Sequence, residues 1–157
     1  MPQFSLGLDV HAMRTVLIVD DNALIRSGVR RILETSSAWE VCGEAADGIQ
    51  ALQAVRDLRP DVIVMDMSMP GIDGLEVTQN IKAILPDTRV LLLTVHVSKE
   101  LAEIAFRAGV AGYLVKAATR QELIRALDTI SQGRIYVSPA ILSDGKRSSK
   151  PVENSVL

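Results

Sequence analysis

TVLIVDDNALIRSGVRRIL, residues 15–33, holds a strand, a turn and a helix in immediate succession. Residues 15–19 are apolar, mostly β-branched and uncharged, the composition of a short strand buried on both faces. From Asn22 onward the apolar spacing changes to three and four, through Ile25, Val29, Ile32 and Leu33. That is the buried stripe of an amphipathic helix. Asp20 and Asp21 fall at the junction, where a strand over 15–20 ends and a helix begins. Open parallel α/β sheets place their sites at such strand ends, so this unit predicts both an architecture and the edge of the sheet that matters.

The same grammar recurs along the chain. Strands are expected over 40–45, 61–66, 89–94 and 111–115. The first of these is less apolar than the others, as an edge strand would be. A helix follows Asp47-Gly48, with Leu52, Val55 and Leu58 inward, and Pro60 ends it. Another runs over about 73–85 with Val77, Ile81 and Ile84 on one face, closed by Pro86. A fourth helix is expected over 98–108. The fifth opens on Thr119-Arg-Gln-Glu122, the spacing of a capping box, buries Leu123, Ile124, Leu127 and Ile130, and stops at Gly133. Five βα units predict a doubly wound, five-stranded parallel sheet with helices on both faces. The pattern dissolves after Pro139, so the expected division is an extension over 1–13, with Met13 a candidate start, a domain over 14–138, and a linker or tail over 139–157.

Composition narrows the function classes. The chain has 157 residues, 48% of them hydrophobic, but one Trp, two Tyr and two Phe, so its core is aliphatic. A net charge of -2 argues against a nucleic-acid-binding face within these residues. One cysteine, Cys42, allows no internal disulfide and reads as a small core or edge-strand residue in a reducing, cytoplasmic setting. No apolar run is long enough to span a membrane, and residues 1–12 lack the pattern of a secretion signal. His11 and His96 are the only histidines, and no Cys/His cluster has zinc spacing. Neither nucleotide-binding glycine signature is present.

Polar groups recur at four strand ends: Asp20-Asp21 after TVLIV, Asp66 after DVIVM, Thr94 after RVLLL and Lys116 after GYLV. Singly each is ordinary. An Asp pair after a strand is as readily a helix N-cap, a role open to Asn22 or Asp21. Together they bring carboxylates, a hydroxyl and an ammonium to one edge of one sheet. Carboxylates of this kind suit Mg2+, which takes oxygen ligands and keeps several waters. A carboxylate can also act as a nucleophile toward phosphorus, and phosphoryl transfer needs mainly positioning and charge stabilisation.

VLIVDDN (16–22), AADG (45–48), VIVMDMSMPGIDG (62–74), LLLT (91–94), AFRAG (105–109) and AGYLVK (111–116) resemble the receiver domain of bacterial two-component response regulators. The resemblance covers about 14–138 and implies a flavodoxin-like strand order 2-1-3-4-5. It implies that Asp66 is the phosphoacceptor and that Asp20 and Asp21, with Asp66 and the Ser68 backbone carbonyl, bind magnesium. Thr94 would swing toward the phosphoryl group, Lys116 would pair with it, and Tyr113 would be the switch aromatic. A sensor histidine kinase would be the donor. Enzymatic activity would be limited to slow magnesium-dependent self-phosphorylation from small donors and self-dephosphorylation. Two positions depart from the pattern: Lys116 precedes Ala117 where proline is common, and Val95 stands where a small residue is common.

LTVH, GYLVKAAT and GRIYVSP resemble the NarL/FixJ subgroup, whose receivers precede a LuxR-type helix-turn-helix. That implies phosphorylation-dependent homodimerisation and DNA binding only through an output domain beyond these residues. Two rivals stand beside this reading. One is a haloacid-dehalogenase-like magnesium phosphatase, which expects a D-x-D pair with its nucleophile on strand one. The other is a stand-alone receiver acting by protein contact.

Overall fold

The computed structural model describes residues 14–118 and 120–143. Among them are six strands: β1 (Arg14–Val19), β2 (Trp39–Ala45), β3 (Val62–Asp66), β4 (Arg89–Thr94), β5 (Gly112–Val115) and β6 (Tyr136–Val137). The helices are α1 (Ala23–Glu34), α2 (Gly48–Leu58), α3 (Gly74–Ile84), α4 (Lys99–Ala108), α5 (Arg120–Ser131) and α6 (Pro139–Ser143). The strand order is β2-β1-β3-β4-β5-β6, and every pairing is parallel. The expected five strands take the expected order.

Strand alternation builds two cores, one on each face. Leu17, Val19, Ile63, Met65, Val90 and Leu92 point to one side, under Ala51 and Val55 of α2, Val77 and Ile81 of α3, and Ala102 and Ala105 of α4. Val16, Ile18, Val62, Val64, Leu91 and Leu93 point to the other, under Val29, Ile32 and Leu33 of α1 and Leu123, Leu127 and Ile130 of α5. Burial on both faces is why the central strands read as unbroken apolar runs. Each buried aliphatic side chain contributes ~1.5–3 kcal/mol. Leu58, expected inward, is 43% exposed: α2 turns its Ala51–Val55 stripe to the sheet instead. β2 is one edge strand of the sheet. Its ladder to β1 slips between Val16 and Leu17: Val41 pairs with Val16, Gly43 with Leu17, and Cys42 is skipped. Cys42 is half-buried there.

Helix starts are fixed by side-chain caps. Asn22, Asp47, Asp73 and Ser98 each accept backbone N–H bonds from the first turn of α1, α2, α3 and α4, worth ~1 kcal/mol apiece. Thr119, half of the expected capping box, lies outside the described residues, as do the extension over 1–13, including His11, and the tail from 144 on.

The largest departure from the sequence reading follows α5. The chain does not lose its structure at Pro139. Tyr136 donates its N–H to the Ala111 carbonyl and Ser138 donates to that of Tyr113, 3.0 and 2.9 Å, which adds β6 as a sixth strand. The Ser138 hydroxyl accepts the Val115 N–H at 3.0 Å, and Ile141 of α6 is 2% exposed within the same core as Tyr113. A two-residue strand and a five-residue helix are too short to carry a periodic signal.

Candidate functional site

Three loops meet at the carboxyl edge of the sheet. β1 ends one residue before Asp20, β3 ends on Asp66, and Lys116 follows β5. The register places Asp66 opposite Leu93 and Thr94 opposite Val115, so the ends lie level. Asp20, Asp21 and Asp66 each offer a carboxylate oxygen, all within 4.8 Å of one another. Asp20 and Asp66 are buried and Asp21 is exposed, so the cluster opens to solvent on one side. The Lys116 ammonium lies 3.0 Å from Asp66 Oδ1 and 3.3 Å from Asp20 Oδ2.

The N-cap alternative for the acid pair is resolved by Asn22. Its Oδ1 takes the N–H groups of Leu24 and Ile25 at 2.8 and 3.3 Å, which leaves Asp21 out of the helix start. Asp20 Oδ1 accepts the Asn22 N–H at 2.9 Å, and this turns its other oxygen toward the cluster. That Oδ2 is buried, and beside the Lys116 ammonium at 3.3 Å it meets no well-placed hydrogen-bond donor. A buried carboxylate oxygen with only that ammonium to meet it, within reach of two more carboxylates, fits a hard divalent cation of magnesium's ligand preference.

Burial pushes the Asp66 carboxyl up from its ordinary range. A hydrogen bond from Lys116 opposes this, the Asp20 charge adds to the rise, and the Ser68 backbone N–H opposes it. Burial works against the Lys116 ammonium too, but the hydrogen bond and charge of Asp66, with the charge and the weaker hydrogen bond of Asp20, outweigh it and hold Lys116 above its usual value. One ion pair thus favours both charged groups, yet it does not rescue Asp66, which faces a second carboxylate in a desolvated corner.

Thr94 and Tyr113 meet beside the cluster. The Thr94 hydroxyl accepts the His96 N–H at 3.0 Å, and the Tyr113 hydroxyl donates to the His96 carbonyl at 2.9 Å. Tyr113 is fully buried. Burial raises the Tyr113 phenol, against a hydrogen bond with Thr94. Lys116 is therefore in reach of Asp20 and Asp66, and these two of Asp21, whereas Thr94 and Tyr113 hold the N–H and the carbonyl of one residue of the β4–α4 loop, His96. Ser68 is exposed, and its backbone N–H acts to lower the Asp66 carboxyl. Val95 is 69% exposed, its side chain directed outward. Among the described residues there is no cis peptide bond, so Ala117 follows Lys116 in trans.

Two features escaped the sequence. His96 matters through its backbone, which no side-chain pattern announces. Gly74, the first residue of α3, packs directly on the loop after β3. A Cβ there would lie 2.6 Å from the Asp66 carbonyl oxygen and 3.0 Å from Met67 Cα, while the Gly74 N–H donates to the Met67 carbonyl at 2.9 Å. Both obstacles are backbone, which cannot rotate away. Gly74→Ala should cost about 1–3 kcal/mol as an overpacked contact and displace Asp66. Thermal melting with a phosphorylation assay checks this: a lower melting temperature with slower phosphoryl uptake is expected, and wild-type behaviour in both would show that the loop yields freely.

No helix among the described residues is long and apolar enough to cross a membrane. The family model of the response regulator receiver domain matches residues 16–128. The response regulator UvrY of Escherichia coli K12 is 43% identical over 129 residues, 82% of this chain and 59% of UvrY. The response regulator GacA of Pseudomonas aeruginosa is 39% identical over 129 residues, 82% of this chain and 60% of GacA. The chain therefore spans about three-fifths of these curated relatives. A solved LuxR-family two-component response regulator from Aurantimonas sp. SI85-9A1 superposes with a TM-score of 0.80 at 36% identity, covering 83% of this chain and 94% of that one. With the acid cluster, the strand order and the matched residues in agreement, this chain belongs to the response regulator receiver domain family, among relatives of the LuxR type.

Proposed function

We propose that this chain accepts a phosphoryl group on Asp66 from a sensor histidine kinase and uses it to switch a LuxR-type helix-turn-helix output domain in the cytoplasm. The observation that carries the reading is the convergence of Asp66 with Asp20 and Asp21 inside 4.8 Å and with the Lys116 ammonium at 3.0 Å. Magnesium fits the acids, with Asp20, Asp21, Asp66 and the Ser68 carbonyl as its protein ligands; when bound it supplies charge neutralisation for the transfer.

The chain's own groups do the rest. A carboxylate oxygen of Asp66 attacks phosphorus, the bond from phosphorus to the donor's imidazole nitrogen breaks, and that nitrogen keeps the electron pair. Lys116 stabilises the charge developing on the phosphoryl oxygens. Thr94 gives up the His96 N–H and turns its hydroxyl to the new phosphoryl group. Tyr113, tied to the carbonyl of the same residue, His96, then reports the change to the face formed by α4, β5 and α5. The added charge favours one of two pre-existing states. Phosphorylated copies pair as homodimers, and DNA is reached only through the output domain. Receiver domains are phosphoacceptors; slow magnesium-dependent self-phosphorylation from small donors and self-dephosphorylation complete this reading. The phosphatase rival needs its nucleophile on the first strand, and there the two acids are adjacent.

Incubation with a small acyl phosphate and Mg2+, followed by intact-mass and peptide mapping, tests the proposal. One phosphoryl group on the peptide holding Asp66, and none after EDTA, is expected. Label on another residue, or label indifferent to EDTA, would overturn it.

A further inference from the structure

The turn that presents the acid pair is held from outside by a residue the phosphoryl chemistry does not use. We propose that Arg26 is a positioning residue for the acid cluster: anchored by Glu44, its guanidinium grips the Asp20 backbone carbonyl and fixes the turn between β1 and α1. The proposal rests on the metal-binding role assigned to Asp20 and Asp21 above.

Arg26 stands one turn into α1, and its Nη1 donates to the Asp20 carbonyl at 2.7 Å. The ladder between β1 and β3 ends at Val19, so that carbonyl lies beyond the strand's own hydrogen bonds. The same guanidinium donates through Nε to Glu44 Oε1 at 2.9 Å. Glu44, near the end of β2, is also held by Arg30 Nε at 2.6 Å through its other oxygen. Both sides of the pair are largely covered, with 19% of the Arg26 side chain and 29% of the Glu44 side chain exposed. α1, the end of β2 and the turn are thereby joined through one planar fork.

The remaining contacts of the turn explain why this grip matters. The Asp20 N–H donates to the Ala45 carbonyl at 3.0 Å, and Asp20 Oδ1 accepts the Asn22 N–H. The backbone of residue 20 is thus held on both sides, by β2 through its N–H and by Arg26 through its carbonyl. That leaves Oδ2 to aim at the cluster. Without Arg26 the peptide between Asp20 and Asp21 could rotate, and both carboxylates would move with it. Outer partners that orient metal ligands typically account for about 10–100-fold in affinity.

The sign of the effect separates positioning from charge. Arg26 is a cation near a cation site, so electrostatics alone predicts tighter Mg2+ binding when it is removed. Positioning predicts weaker binding. Mg2+ alone, titrated into the full chain by calorimetry and by NMR, is the probe. Arg26→Ala should weaken Mg2+ about tenfold; Glu44→Gln should weaken it as well, a direction its lost negative charge shares, so Arg26→Ala is the variant whose sign decides. Arg26→Lys, which keeps the charge but lacks the fork, should fall between wild type and Arg26→Ala. In the phosphorylation assay the loss should appear in the Mg2+ concentration for half-maximal rate, with the rate at saturating Mg2+ close to wild type. Unchanged or tighter Mg2+ binding in a folded Arg26→Ala protein would overturn the proposal. Should that variant not fold, wild-type Mg2+ affinity in both Arg26→Lys and Glu44→Gln would overturn it equally. Failure of the wild-type chain to bind Mg2+ or to label Asp66 would instead sink the underlying functional reading.

Discussion

Asp66→Asn should take up no phosphoryl group from any donor and should melt at a higher temperature than the wild type in the absence of metal. The first effect is a loss of nucleophile: an amide oxygen cannot form the acyl phosphate. The second follows from the raised Asp66 carboxyl, whose principal cause is burial. A carboxyl that holds its proton more tightly folded than unfolded makes the native state bind more protons over that interval. Stability is then full below the unfolded value of ~3.9, falls as pH rises from there through the raised folded value, and stays reduced at neutral pH. Asn removes that penalty. It also leaves Asp20 and Asp21 with one negative neighbour fewer, against which the lost bond to Lys116 is the smaller term, since the pair does not bring Asp66 down. Each kcal/mol regained corresponds to roughly 2–8 °C for a domain of this size. Metal-free melting at pH 4 and pH 7 checks it: the stabilisation should be present at pH 7 and shrink at pH 4. Persistent labelling of the variant would defeat the assignment of Asp66, and a lower melting temperature at pH 7 would defeat the account of its burial.

The architecture was legible because its signals are local. Four β-branched runs without charge, each followed by a helical stripe, leave little but a parallel sheet, and Val16 to Val19 lie in its centre with neighbours on both faces. The acid cluster was legible because strand ends in such a sheet lie level, so Asp20 and Asp66 can be brought together without knowing a single distance. What stayed hidden is long-range or backbone-borne. Arg26 and Glu44 are eighteen positions apart, and each alone reads as a solvated charge on a helix or edge strand. Gly74 reads as a turn residue, although its need is the 2.6 Å approach to Asp66. β6 and α6 draw their order from packing, since Ser138 and Ile141 acquire meaning only once Tyr113 and Val115 are beside them. Thr94 and Tyr113 show the boundary well. Their positions follow from the strands, but their meeting at the N–H and the carbonyl of one residue, His96, does not.

Lys116→Ala should shift stability in the opposite direction to Asp66→Asn while leaving phosphorylation possible. Its ammonium serves Asp66 at 3.0 Å and Asp20 at 3.3 Å, and both carboxylates are buried. Removing one partner of a buried pair costs on the order of 3 kcal/mol or less when the survivor can protonate or reach solvent. The metal-free variant should therefore melt well below the wild type. Mg2+ should restore much of the loss, because a cation bound to the native state stabilises it by about 2.7 kcal/mol at a hundredfold excess over its Kd. Binding itself should be tighter, since a competing positive charge has gone. Asp66 keeps its oxygens and its metal partners, so it should still be labelled, although more slowly without the ammonium on the phosphoryl oxygens. The link to the surface is what should fail. Thr94→Ala offers the independent comparison: it leaves Lys116 in place but strips the His96 N–H of its acceptor at 3.0 Å. NMR of the phosphorylated proteins should show the wild type shifting around Tyr113 and both variants staying near their unphosphorylated spectra. Wild-type shifts in both would mean that the phosphoryl group reaches β5 by a route that bypasses Lys116 and the His96 backbone.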